Sequence, residues 1–140
     1  FLGMMERGEL LEWALVFGKW RYGTPKAPVF KKLKEGFDVL LEVDVQGGLK
    51  VRDALGPRAA LAFIAPPSEE ELVRRLRKRG TERGEELVRR LETARWELER
   101  AKEYDYLVVN DELEKALSQL KAIVEAERCA VRRLLSRWPF

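Results

Sequence analysis

The sequence predicts an α/β fold, a parallel sheet covered by helices, and three observations predict it. Short apolar runs at Val39–Val43, Ala59–Ala65 and Tyr104–Asn110 have strand length, and helical patterns separate them. The first run is apolar at successive positions, broken by a single acid, as a strand covered on both faces requires. A long helical stripe then begins at Leu113 and closes the chain.

The 140 residues, 46% of them hydrophobic, suit one domain with a real core. No apolar run approaches the roughly 18 to 20 residues that cross a bilayer, and no charged-then-apolar leader opens the chain, so a cytoplasmic protein is expected. The chain has no histidine and one cysteine, Cys129, which excludes His-based zinc sites, Ser-His-Asp catalysis and an internal disulfide. Chemistry is left to Asp, Glu, Lys, Arg and hydroxyls. The net charge of +3 comes from 27 bases interleaved with 24 acids, a pattern that suits anionic small ligands and forms no nucleic-acid stripe. A charged fraction of 36% points to a thermophilic source, which a mesophile's melting temperature would contradict.

Taken in order, Gly8 ends a short opening helix, and Leu10–Phe17 follows as a strand with Glu12 inside it. That acid either faces water from an edge strand or accepts from a ligand. Gly18–Pro25 reads as a turn-rich loop offering the hydroxyls of Tyr22 and Thr24. Pro28–Glu35 is a helix with proline in its first turn and Gly36 at its end. The run D-V-L-L-E-V-D-V-Q-G-G, residues 38–48, puts Glu42 and Asp44 one pleat apart at a strand's carboxyl end, where open parallel sheets bind ligands. Asp44 also suits the cap of the helix Gln46–Leu55.

Pro66 and Pro67 stop the second strand, and Ser68 with Glu71 forms a capping box for a helix to about Arg79, which Gly80 ends. Leu72, Leu76 and Arg79 share one stripe, so Arg79 either snorkels or serves a site, while Arg74, Arg77 and Lys78 face solvent. A second arm, Glu85 to about Glu103, aligns Leu87, Leu91, Ala94, Leu98 and Ala101, with Arg90 at the border. The two arms and the R-G-T-E-R-G bend make a charged hairpin that could close over a ligand. Asp111 and Glu114 form a cap pair before the last helix. Its stripe runs continuously from Leu113 through Leu117, Leu120, Val124, Val131, Leu134 and Leu135, and Cys129 is expected buried or half-buried.

Six stretches in order, G-E-L-L-E-W-A at Gly8–Ala14, Y-G-T at Tyr22–Thr24, E-V-D-V-Q-G at Glu42–Gly47, P-P-S at Pro66–Ser68, R-G-T at Arg79–Thr81 and Y-D-Y-L-V-V-N-D at Tyr104–Asp111, resemble guanylate kinase. The resemblance implies a three-layer, parallel-sheet P-loop kinase core with a GMP-binding β region and a helical lid. It divides one overall domain into residues 1–27 (GMP region), 28–65 (core), 66–90 (lid) and 91–140 (core and last helix). It implies phosphoryl transfer from ATP, with Mg2+, to GMP, in a monomer or homodimer with no nucleic-acid or membrane partner. Glu12 would read guanine, whose adjacent N1-H and N2-H donors suit one carboxylate. Thr24 and Asp44 would complete that recognition, and Tyr22 would bond the GMP phosphate. Glu42 would face the phosphates, and Glu42 or Asp44 would meet magnesium only through water. Arg79 and Arg90 match the lid arginines that act in catalysis, Arg79 also meeting ATP, and Asn110 matches the position against adenine.

Departures accompany the match. The phosphate loop G-x-x-x-x-G-K followed by Ser or Thr does not occur, and neither do the upstream serine and arginines that grip the GMP phosphate. In the family the strand feeding that loop lies between those expected at Val39–Val43 and Ala59–Ala65. The 140 residues alone are therefore expected to be inactive and to belong to a longer normal enzyme, which an intact mass of 16.3 kDa would contradict. The loop G-K-W-R-Y-G-T is one residue longer than the usual form, and Gly48 stands where alanine is common. Rival readings are a guanylate-kinase-like module that binds a peptide, an inactive fragment, and a basic RNA-binding helical protein with steep salt dependence.

Overall fold

The computed structural model describes residues 1–16, 18–79 and 84–134. The expected strand end at Phe17, the helix stop at Gly80, the bend over residues 80–83 and Leu135 of the last stripe lie outside the described residues. The chain forms two compact units, Phe1–Ala59 and Ala60–Phe140.

In the first unit, α1 (Leu2–Glu6) ends where Gly8, at φ 66°, lets the chain turn back. The Gly8 and Glu9 N–H groups then donate to the Met5 and Met4 carbonyls at 3.1 and 2.9 Å, which satisfies the free end of the helix. β1 (Leu10–Val16) pairs antiparallel with β2 (Trp20–Pro25), with Glu12 opposite Thr24, Ala14 opposite Tyr22 and an irregularity between Leu10 and Glu12. The expected loop over residues 18–25 is thus mostly a strand. Trp20, Tyr22 and Thr24 alternate as a pleat requires, a period that the flanking glycines disguised. α2 (Lys26–Lys34) starts two residues before the expected Pro28, which still sits in the first turn, where a missing N–H costs nothing.

The apolar run Val39–Val43 is not a strand: residues 37–44 have no ladder partner among the described residues, and Leu40 is 87% exposed. Its pattern reports burial, since Val39 and Leu41 pack with Leu55 and Ala59 against the core of Leu11, Val29 and Val51. Pairing needs a second backbone, which an apolar period cannot supply. α3 (Val45–Leu55) follows, and its inner face carries Val51 into that core.

In the second unit, β3 (Ala62–Ala65) pairs parallel with β4 (Tyr106–Val109), from Ala62 opposite Tyr106 to Ala65 opposite Val109. Both are shorter than the apolar runs that announce them. Asp105 fixes the register: its carboxylate accepts from the Leu61 N–H at 2.7 Å, and its own N–H donates to the Leu61 carbonyl at 2.9 Å. The Tyr104 ring meets Phe63 edge-on at 5.4 Å, and Val108 is nearly inaccessible.

α4 (Glu69–Arg79) and α5 (Glu85–Arg100) form the expected arm, joined by Arg95 Nε donating to Glu69 Oε1 at 2.9 Å. The capping box is only half made. Ser68 Oγ accepts from the Glu71 N–H at 3.1 Å, but the Glu71 carboxylate accepts from Arg74 and Arg75 instead of turning back. Two guanidinium groups outbid one main-chain N–H for its oxygens, and hydrogen bonds from Arg74 and then Arg75 hold the carboxyl down at about 2.

α6 (Leu113–Arg128) takes Glu112 as its first cap residue, with no side-chain cap bond, so the expected Asp111–Glu114 pair does not form. The last helix is also broken. α6 stops at Arg128, Cys129 is exposed, and a short α7 (Val131–Leu134) follows. Leu113, Leu117 and Val131 are exposed, and Glu127 explains the break. This acid is 8% exposed and accepts from Tyr106 Oη at 2.8 Å, from Arg133 Nε at 2.8 Å and from Arg132. Both arginines can converge on one carboxylate when the helix ends between them and it. No described helix is long and apolar enough to cross a membrane.

Candidate functional site

The first unit gathers the acids. Cross-strand partners and alternate residues share a face of a hairpin, so Glu12, Tyr22 and Thr24 project to the same side. Glu12 is only 6% exposed, and its Oε1 accepts from the Thr24 hydroxyl at 2.6 Å. Its Oε2 has no hydrogen bond among the described residues, which is an acceptor held ready for a donor. Tyr22, 61% exposed, lies on the same face one pleat from Thr24.

The N-terminus of α3 arrives beside this carboxylate. Asp44 caps the helix, its Oδ1 accepting from the Gly47 N–H at 2.7 Å, and its side chain is otherwise exposed. The cap uses Oδ1 alone, so the capping reading of Asp44 does not displace the ligand-facing one. Gly47 is packed so tightly that a Cβ there would lie 2.9 Å from Glu12 Oε2 and 3.0 Å from Asp44 Oδ1. Glu42 is exposed, two residues ahead of Asp44 in the irregular segment, and no strand pleat carries the pair.

Lys50 of α3 lies over the Trp13 ring at 4.4 Å and donates to the Trp13 carbonyl, fastening helix to strand next to Glu12. The sequence gives no sign of this contact, because it joins positions 37 residues apart.

Arg79, Arg90 and Asn110 belong to the second unit. Arg79 is the exposed last residue of α4, and Arg90 is half-buried on α5. Asn110 follows β4, its N–H donating to the Ala65 carbonyl at 2.8 Å and its carbonyl accepting from Arg75 Nη1 at 2.8 Å. Arg75 escaped the sequence reading because its periodicity only marks it as flanking the solvated face. Among the described residues no cluster of three or more Asp, Glu, Cys or His could hold a metal ion directly.

The guanylate kinase family model matches residues 1–127. The chain is 47% identical over 133 residues to the guanylate kinase of Caldanaerobacter subterraneus subsp. tengcongensis, which covers 95% of this chain and 64% of that protein. It is 52% identical over 124 residues to that of Nocardia farcinica, covering 88% of this chain and 64% of the other. The crystal structure of guanylate kinase from Anaplasma phagocytophilum matches with a TM-score of 0.78 at 32% identity, over 100% of this chain and 71% of that one. Parallel strands flanked by helices that superpose at this level define an α/β kinase core. The chain belongs to the guanylate kinase family. It spans just under two thirds of the length of its first relatives, 64% and 66%.

Proposed function

We propose that the protein transfers the γ-phosphoryl group of ATP to a phosphate oxygen of GMP, giving ADP and GDP. The observation that carries this reading is the buried Glu12 carboxylate, with Oε1 engaged by Thr24 and Oε2 open. Guanine offers N1-H and N2-H side by side to such an acceptor, whereas adenine offers no matching pair. Thr24 fixes the carboxylate and, with Asp44, completes recognition of the base. Tyr22, on the same hairpin face, donates to the GMP phosphate.

Charge spreads over the migrating phosphoryl group in the transition state, and cations brought to it lower the barrier. Arg79 and Arg90, on the two arms of the helical hairpin at residues 66–90, fill that role, and Asn110 lies against adenine with Arg79 close to ATP. Mg2+ would enter with ATP and neutralise phosphate charge. Glu42 and Asp44, exposed oxygen donors without a third ligand, fit contact through bound water rather than direct ligation.

Calorimetric titration of the chain with GMP and AMP tests the reading. Saturable GMP binding, with AMP weaker, supports it. Equal binding of the two refutes base reading, and no binding of either favours a module of this family that does not turn over nucleotide.

A further inference from the structure

We infer that Gly47 is a positioning residue that sets how far the Glu12 carboxylate advances into the guanine site, a role that rests on the guanine reading of Glu12. A Cβ at Gly47 would lie 2.9 Å from Glu12 Oε2, 3.0 Å from Asp44 Oδ1 and 3.1 Å from the Val43 Cβ. Real side-chain carbons do not sit at the first of these distances, so one neighbour must move. Asp44 cannot withdraw without losing the bond from the Gly47 N–H that caps α3. Val43 is held by the main chain four residues back. Glu12 is the group that yields, although burial and the Thr24 hydroxyl at 2.6 Å hold it in place.

The backbone gives glycine no other reason to be here. Gly47 lies inside α3 and has no positive φ, and glycine in a helix is less stable than alanine. What the missing side chain provides is room for two carboxylates to converge over the first turn of the helix. With alanine there, Glu12 Oε2 turns from the position at which it and Oε1 meet two parallel donors.

Four forms of the chain separate this role from a structural one: wild type, Gly47→Ala, Glu12→Asp and the double variant. Each is titrated with GMP and with inosine monophosphate, which lacks the 2-amino donor, and each is melted. In Gly47→Ala, GMP affinity falls about tenfold or more, the range for a hydrogen bond to a charged group, while inosine monophosphate loses less and the melting temperature holds or rises. Glu12→Asp withdraws the carboxylate by one methylene and weakens GMP by itself. Added to Gly47→Ala, it relieves the clash, and the double variant binds GMP better than Gly47→Ala alone. An unchanged GMP preference in Gly47→Ala overturns the inference, as does a double variant whose losses simply add. So does equal loss of both nucleotides with a lower melting temperature, which would mark Gly47 as structural only. A wild type without preference for GMP overturns the guanine reading as well, whereas a preference that survives Gly47→Ala overturns the Gly47 role alone.

Discussion

Arg75 Nη1 donates to the Asn110 carbonyl at 2.8 Å while its Nε donates to Glu71 Oε1 at 2.7 Å, so one guanidinium joins the start of α4 to the end of β4. Arginine suits this because its fork reaches two acceptors at fixed angles, which an ammonium cannot do. Arg75→Ala should lower stability by about 1 to 3 kcal/mol and the melting temperature by several degrees. Arg75→Lys should recover only part of that. An unchanged melting curve for Arg75→Ala would show that the link contributes nothing.

Glu12→Ala should weaken GMP about a hundredfold or more, because two donors of the base lose charged acceptors, and should leave AMP nearly unaffected. Titration calorimetry with both nucleotides reads the difference. Equal losses would remove Glu12 from base recognition.

Arg79→Ala and Arg90→Ala should act on turnover rather than on GMP binding. Loss of an arginine that meets the migrating phosphoryl group costs about 10³-fold or more in kcat, whereas KM for GMP should stay within a few-fold. Steady-state kinetics with ATP and GMP measures both. A rise in KM with kcat intact would reassign these arginines to substrate binding.

Glu127 gives the fold an acid-sensitive joint. Burial by itself would raise its pKa, but the hydrogen bonds from Arg133, Tyr106 and Arg132 prevail and hold it at about 2, below the ordinary 4.5. Because the folded value is depressed, the stability it contributes is complete above about 4.5 and is lost as pH falls towards about 2. Melting temperature should therefore drop across that window, and Glu127→Gln should flatten the drop. Glu71 is depressed to a similar value by Arg74 and Arg75. Glu71→Gln, melted over the same pH range, separates the Glu71 share from that of Glu127. An identical acid profile in Glu127→Gln would refute the joint.

Helices were the most legible part of the chain. The period of Leu72, Leu76, Leu87, Leu91 and Leu98, with Ser68 before α4, marked both arms of the helical hairpin, the second reaching Arg100 instead of about Glu103, since a helix is stabilised by neighbours three and four positions away. Sheet structure was less legible. Val39–Val43 carried a strand's composition without a ladder partner among the described residues, and Trp20–Pro25 carried a strand behind the appearance of a loop, because pairing depends on a backbone distant in sequence.

The sequence alone determined the family, through six motifs in order, and it named the acids and arginines on which the proposed chemistry rests. Only the tertiary structure decided that Thr24 engages one oxygen of Glu12, that Gly47 leaves room beside the other, that Lys50 fastens Trp13 and that Glu127 gathers Arg132 and Arg133 from beyond the end of α6. Residue type and spacing report which groups a chain can offer. Which oxygen of a carboxylate is occupied depends on ångström-scale contacts between segments that only folding brings together.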